Sequence, residues 1–145
     1  VAGRKLGVSY WRLFLHDVSK FSLKELPQYA QTFFGDGKNC TEFSYAWNHH
    51  QKCNKHHWEY WVMITGHTKG GYPDGSTLPM PVIYAKEMVA DWIGASRTYE
   101  KKWPKSFEEW AWMKSNFDKI QIHESTRELC RNLLFVYFTG KNNER

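Results

Sequence analysis

A chain of 145 residues, 41% apolar and carrying eight Trp, eight Tyr and nine Phe, buries roughly two-thirds of its unfolded surface on folding, which excludes a disordered polymer and a staple-dependent miniprotein. The formal charge of +5 admits an anionic ligand, but Lys and Arg are scattered along the chain, the pattern of a solvated basic surface. No apolar run approaches the roughly 18 residues of a bilayer span, and the odd set Cys40, Cys53 and Cys130 argues against a disulfide framework and for a reducing, cytoplasmic setting.

In chain order, Trp11, Phe14, Leu15, Val18 and Phe21 recur at spacings of three and four, which predicts a helix with one core-facing apolar face that also carries His16, Asp17 and Lys20. Ser22 followed by Glu25 has the form of a capping box, and Pro27 opens a short helix ending near Gly35. A helix is expected over 41–52, with Phe43, Ala46, Trp47 and His50 on one face. Asn54 then caps a turn containing His56, His57 and Glu59. Trp61–Ile64 and Ser76–Leu78 read as a small hairpin across the loop GHTKGGYPDGS. Pro81 begins the helix PVIYAKEMVADWIGA, which places Tyr84, Met88, Asp91 and Trp92 on one face and turns Asp91 inward. Ser106 with Glu109 opens a helix to about Phe117, and Glu124–Thr139 forms the last, closed by Gly140. The expected fold is all-α, a mainly helical bundle with one minor β-hairpin: residues 1–139 form a single domain and 140–145 a flexible tail.

The chemistry-bearing residues fall in three places: His16 and Asp17, the cluster His49, His50, His56 and His57, and Asp91. Imidazole and carboxylate together suit Zn, Mn, Fe, Ni or Co, as one ion or as two bridged by a carboxylate. Adjacent histidines on a helix point apart. His50 and His57 are therefore the expected ligands with His16, Asp17 and Asp91, while His49 and His56 are surface residues or supports behind them. Glu59 orients a histidine, accepts a proton from water, or makes only a capping bond. Competing accounts need no chemistry: a Lys20–Asp17 or Lys20–Asp91 ion pair satisfies the buried charges. A Cys2His2 zinc site from Cys40, Cys53, His56 and His57 fits known finger spacings poorly. GGYPDG lacks the Gly-Lys-Ser/Thr of a P-loop and reads as a turn. His67 and His123 are read as solvent-facing.

Taken together, LHDVSKF, NHH, NKHHWEYW and LPMPVIYAKEMVADWIGA resemble the metal-dependent HD phosphohydrolase superfamily, in which a His, an adjacent His-Asp and a distant Asp sit on a helical bundle. LHDVSK is similar to the superfamily's LHDxGK segment, with Ser19 in place of Gly, and Asp91 corresponds to its final Asp. GGYP at Gly70–Pro73 is displaced from the context it has in the HD-GYP branch. More closely, Gly7–Leu134 resembles a small uncharacterised family of phage and bacterial domains with the patterns LHDxSKF, NxHHxEYW and EMVADWxGA. No histidine precedes His16, whereas related sequences carry a His-Lys pair shortly before a segment like AGRKLGV, consistent with residues missing upstream of Val1.

The superfamily resemblance implies an HD-like domain that hydrolyses a nucleotide or other small phosphoester in the cytoplasm, or in the host cytoplasm for a phage-encoded chain. His16, Asp17 and Asp91 hold the main metal, and His50 and His57 complete it or hold a second. Lys20 and Arg97 offset phosphate charge, and Glu59 accepts a proton. A different class of reading is a catalytically idle helical module that binds nucleic acid or a protein partner through basic residues and exposed tryptophans such as Trp103. A third is a buried polar network of His16, Asp17, Lys20 and Asp91 without metal.

Overall fold

The apolar run around EMVADWIGA becomes the centre of the molecule in the computed structural model, which describes residues 2–35, 40–64 and 75–141. Among the described residues there are seven α-helices, three 3-10 turns and no sheet. They are α1 (Ala2–Lys5), α2 (Tyr10–Leu15), α3 (Leu26–Phe34), α4 (Cys40–Cys53), α5 (Val82–Tyr99), α6 (Ala111–Asn116) and α7 (Glu124–Thr139). The fold is all-α, as the periodicities predict. None of the described helices is long and apolar enough to cross a membrane.

Helix α5 follows Pro81, whose fixed φ suits a helix entry. It buries Ala85, Met88, Val89 and Ile93 against Ala2 of α1, Leu6 just after it, and Cys130, Leu133 and Leu134 of α7. Each such large side chain contributes about 1.5–3 kcal/mol when fully buried. Trp110 at the N-cap of α6, Met113 within it and Phe117 in the turn that follows close this core. Gly140 ends α7 at φ 69, a left-handed conformation that glycine adopts without a Cβ clash. At its start His123 caps the helix by accepting from the Ser125 amide at 3.2 Å, a bond exposed to solvent.

The first forty residues depart most from expectation. The helix predicted through Phe21 stops at Leu15. His16 is its C-cap, Asp17 leaves helical geometry at φ -112 and ψ 20, and a 3-10 turn, Val18–Phe21, follows. The apolar face does not enter the core: Trp11, Phe14 and Phe21 are 74%, 77% and 76% exposed. His16, Asp17 and Lys20 turn inward instead, because their partners lie on α4, α5 and the turn after α4. An ion pair fixes that orientation: Arg12 grips the buried Glu87 of α5 with Nε–Oε1 at 2.5 Å and Nη2–Oε2 at 3.0 Å.

Two capping assignments also change. Glu25 makes no capping bond. It is itself the N-cap residue of α3, and its carboxylate points at α4. Ser106 accepts from the Glu109 amide at 3.2 Å, but the helix proper begins only at Ala111. The expected hairpin reduces, among the described residues, to one antiparallel bridge between Val62 and Thr77, flanked by backbone bonds joining Trp61 to Leu78 and Met63 to Ser76. Its loop, 65–74, with His67 and GGYP, lies outside the described residues, as do the side chain of Cys40 and tail residues 142–145.

Candidate metal centre

Four chain segments meet at Asp17. Its own turn follows α2; His50 comes from the buried face of α4, His56 and His57 from the turn after α4, and Asp91 from the middle of α5. Asp17 Oδ1 lies 3.3 Å from His50 Nε2 and 3.5 Å from His56 Nε2. Asp17 Oδ2 lies 3.4 Å from His16 Nε2, which is 3.9 Å from Asp91 Oδ1. The ligand atoms fall into two groups that share Asp17: Asp17, His50, His56 and His57 in one, and His16, Asp17 and Asp91 in the other. Within each group all of them lie within 4.8 Å of one another.

Bonds behind the ring atoms decide which nitrogen faces inward. His16 Nδ1–H donates to the Leu13 carbonyl at 2.7 Å, which leaves Nε2 toward the two aspartates. His50 Nδ1–H donates to Glu25 Oε2 at 2.9 Å, which leaves Nε2 toward Asp17. Glu25, wholly buried, also accepts from His49 Nδ1 at 2.7 Å and from the Ser19 hydroxyl at 3.2 Å. Asn54 completes the layer by donating to Ser19 Oγ at 2.7 Å and to the His50 carbonyl at 2.9 Å, so its side chain closes the end of α4, while its carbonyl opens the next turn by accepting from the His57 amide at 3.0 Å. A carboxylate behind a ligand histidine fixes its tautomer and raises its basicity.

The inward atoms have no such partners. Asp17 Oδ1 and the Nε2 atoms of His50, His56 and His57 are all buried without a hydrogen-bond partner, the 3.3 and 3.5 Å approaches lacking hydrogen-bond alignment. Leaving one buried polar group unsatisfied costs about 1–3 kcal/mol, so four such atoms gathered at one space are a costly arrangement unless a cation fills it. The donor set, three imidazoles and a carboxylate, suits a divalent transition ion. Its protonation suits one as well. Burial, reinforced by the nearby His56 and His50, pushes the His57 imidazole down to about 3, so it is neutral near pH 7 and keeps a lone pair. Burial alone would raise the Asp17 carboxyl, but the imidazoles of His50 and His56 and the Lys20 ammonium hold it well below the usual carboxylate range. Asp91 goes the other way, pushed up by burial and then by the charge of Asp17.

Of the residues expected from sequence, His16, Asp17, His50, His57 and Asp91 are brought together. His56 joins them as a direct member of the first group rather than as a support. His49 faces Glu25, with Nε2 3.5 Å from Cys53 Sγ, and belongs to neither group. Lys20 is engaged by Asp17. Glu59 borders the site, accepting from Gln51 Nε2 at 2.5 Å, while its Oε2 is buried without a hydrogen-bond partner and burial raises its carboxyl. Arg97 lies two turns beyond Asp91 on α5 and donates to the Lys101 carbonyl at 2.7 Å. No cysteine belongs to either group among the described residues. Glu25 went unread as a site residue because Ser22-x-x-Glu25 has the form of a cap. The available signal was an acidic residue without a basic neighbour at helical spacing, which only the fold could pair with His49 and His50.

A family model described as a family of unknown function (DUF5662) matches residues 1–135, so the chain belongs to that family. No curated protein and no solved structure matches it.

Proposed function

We propose that this member of the family is a metal-dependent phosphohydrolase of the HD type, acting on a nucleotide or other small phosphoester. The observation that supports it most is the convergence of buried, unpartnered Asp17 Oδ1, His50 Nε2, His56 Nε2 and His57 Nε2. A hydrogen-bonded polar network, the account without chemistry, would leave those atoms paired. His50, His56, His57 and Asp17 would hold one divalent ion, and His16 and Asp91 would join Asp17 at a second. Such an ion supplies Lewis acidity, offsetting phosphoryl charge and making water a better acid.

The chain's own residues then divide the work. Glu25 holds His50 in the tautomer that presents Nε2. Asp17 serves both groups with its two oxygens, and Lys20 restrains its carboxylate. Glu59, with a buried free oxygen and a raised carboxyl, is placed to hold a proton within the cavity that His56, His57 and Asp91 border. Lys20 is committed to Asp17, and Arg97 to the backbone at Lys101. Among the described residues, Lys119 is the cation that borders that cavity.

Elemental analysis of the purified protein, followed by a phosphoester panel on the same sample, tests the proposal. Stoichiometric Mn, Fe, Zn, Ni or Co with hydrolysis that disappears in Asp17→Asn is the expected result. Protein that takes up no transition metal under any loading condition overturns it.

A further inference from the structure

A cavity of about 380 Å³ opens beside the two His–Asp groups, within the size range of small-molecule sites. One side is the site itself, formed by His56, His57 and Asp91; much of the rest is indole, from Trp47, Trp58, Trp92 and Trp112. Metal binding does not require tryptophans. Trp58 and Trp92 pack against the core, whereas Trp47 and Trp112 lie outside it. Trp112 remains 44% exposed and Trp47 38% exposed, although an indole is among the side chains with most to gain from cover. Trp92 and Trp112 stand 6.2 Å apart with their planes tilted by 55°, so they do not stack fully on each other. Glu59 also lines the cavity.

We infer that this cavity is a subsite for a flat aromatic group carried by the phosphoester, with the ring held among Trp92, Trp112 and Trp47 and the phosphoryl group directed to the His56, His57 and Asp91 side. The inference rests on the proposed phosphoesterase reading and names its substrate class. An alkyl group of equal size would bury similar area there. Only an aromatic ring adds the quadrupole interaction with indole, which converts to about a two- to twelvefold gain in affinity. Phosphoesters with small aliphatic groups leave the indoles uncovered and bind by the phosphoryl end alone.

Calorimetric titration of the manganese-loaded protein with phenylphosphonate and with cyclohexylphosphonate tests this, since neither carbon–phosphorus bond is hydrolysed. Phenylphosphonate is expected to bind about two- to twelvefold tighter. The preference should vanish in Trp112→Ala and largely return in Trp112→Phe. Equal affinities in the unsubstituted protein overturn the inference whether or not the variants fold. A preference untouched in Trp112→Ala overturns it too. Titration without manganese separates this from the metal reading. Manganese uptake with no phenyl preference overturns the subsite alone, whereas a phenyl preference in protein that takes up none of Mn, Fe, Zn, Ni and Co supports the subsite and overturns the metal reading.

Discussion

Replacing Glu25 by Gln changes almost nothing in shape and tests the tautomer argument directly. Glu25 is wholly buried and accepts three hydrogen bonds, from His49 at 2.7 Å, His50 at 2.9 Å and Ser19 at 3.2 Å. An amide nitrogen in place of Oε2 cannot accept from His50 Nδ1–H. Ser19 rotates its hydroxyl to accept from the amide, and His50 moves its proton to Nε2, so that Nδ1 accepts from the amide as well. The Nε2–H then faces Asp17 Oδ1, 3.3 Å away, and occupies the position from which a lone pair would bind a metal. Metal affinity should fall about 10–100-fold, the usual loss when the partner behind a ligand histidine is removed, or about 1.4–2.7 kcal/mol. Metal-free stability should fall by no more than about 0.5–1.5 kcal/mol, the net worth of one hydrogen bond, because the amide keeps partners in Ser19 and His50, and the melting temperature of the apo protein should drop by about 1–6 °C. Competition against a chelator indicator measures the first quantity and thermal denaturation of the apo protein the second. Unchanged metal affinity together with a large loss of stability would refute the reasoning and leave Glu25 a structural residue.

Three other perturbations separate structural from site effects. Arg12→Ala leaves the buried Glu87 carboxylate unpaired and should destabilise by about 1.5–3 kcal/mol in urea unfolding, the range for hydrogen bonds to charged groups; a loss under about 0.5 kcal/mol would mean that Glu87 finds water. Phe117→Ala, in the core, should cost about 3–5 kcal/mol, whereas Phe21→Ala, at a position 76% exposed, should stay within about 0.5 kcal/mol. Equal costs would show that the 3-10 turn carries its apolar face inward after all. Acid should destabilise the apo protein over the range set by His57, held at about 3 when folded against its ordinary 6.5. The unfolded chain takes up that proton first, so stability is full above pH 6.5 and falls toward pH 3 at up to about 1.4 kcal/mol per pH unit. The raised carboxyls of Asp91 and Glu59 protonate earlier in the folded state and offset part of this loss. Stability flat between pH 6.5 and 4 would contradict a buried neutral His57.

Much of this site was legible before the fold was known. Sequence reading marked His16, Asp17, His50, His57 and Asp91, because charged or ligating side chains stood at apolar-periodic positions or in a dense histidine run. Asp91 was the clearest case, since the i, i+4, i+7, i+8 set Tyr84, Met88, Asp91 and Trp92 fixes its direction on a regular helix. His56 was misplaced, because alternation of adjacent residues separates His56 from His57 on a helix but not in the irregular turn where they stand, with ring centroids 4.4 Å apart. The role of Glu25 was invisible, since a cap and a histidine partner present the same residue to a local reading.

The sequence by itself determined the helices whose periodicity and end signals agree. Glu124–Thr139 with Gly140 is one, and the Pro81-led helix of Asp91 is another. Their local propensity and their burial favour the same structure, so nothing competes. What only the tertiary structure decided is the segment Trp11–Phe21, where local pattern and long-range pairing conflict. Its apolar spacing favours one continuous helix with the aromatics inward. Asp17 can meet His50 and His56, and Arg12 can meet Glu87, only when the helix stops at Leu15 and the aromatics face out. The energy that settles the choice comes from groups thirty-three to seventy-five residues away in the chain, and no local window contains them.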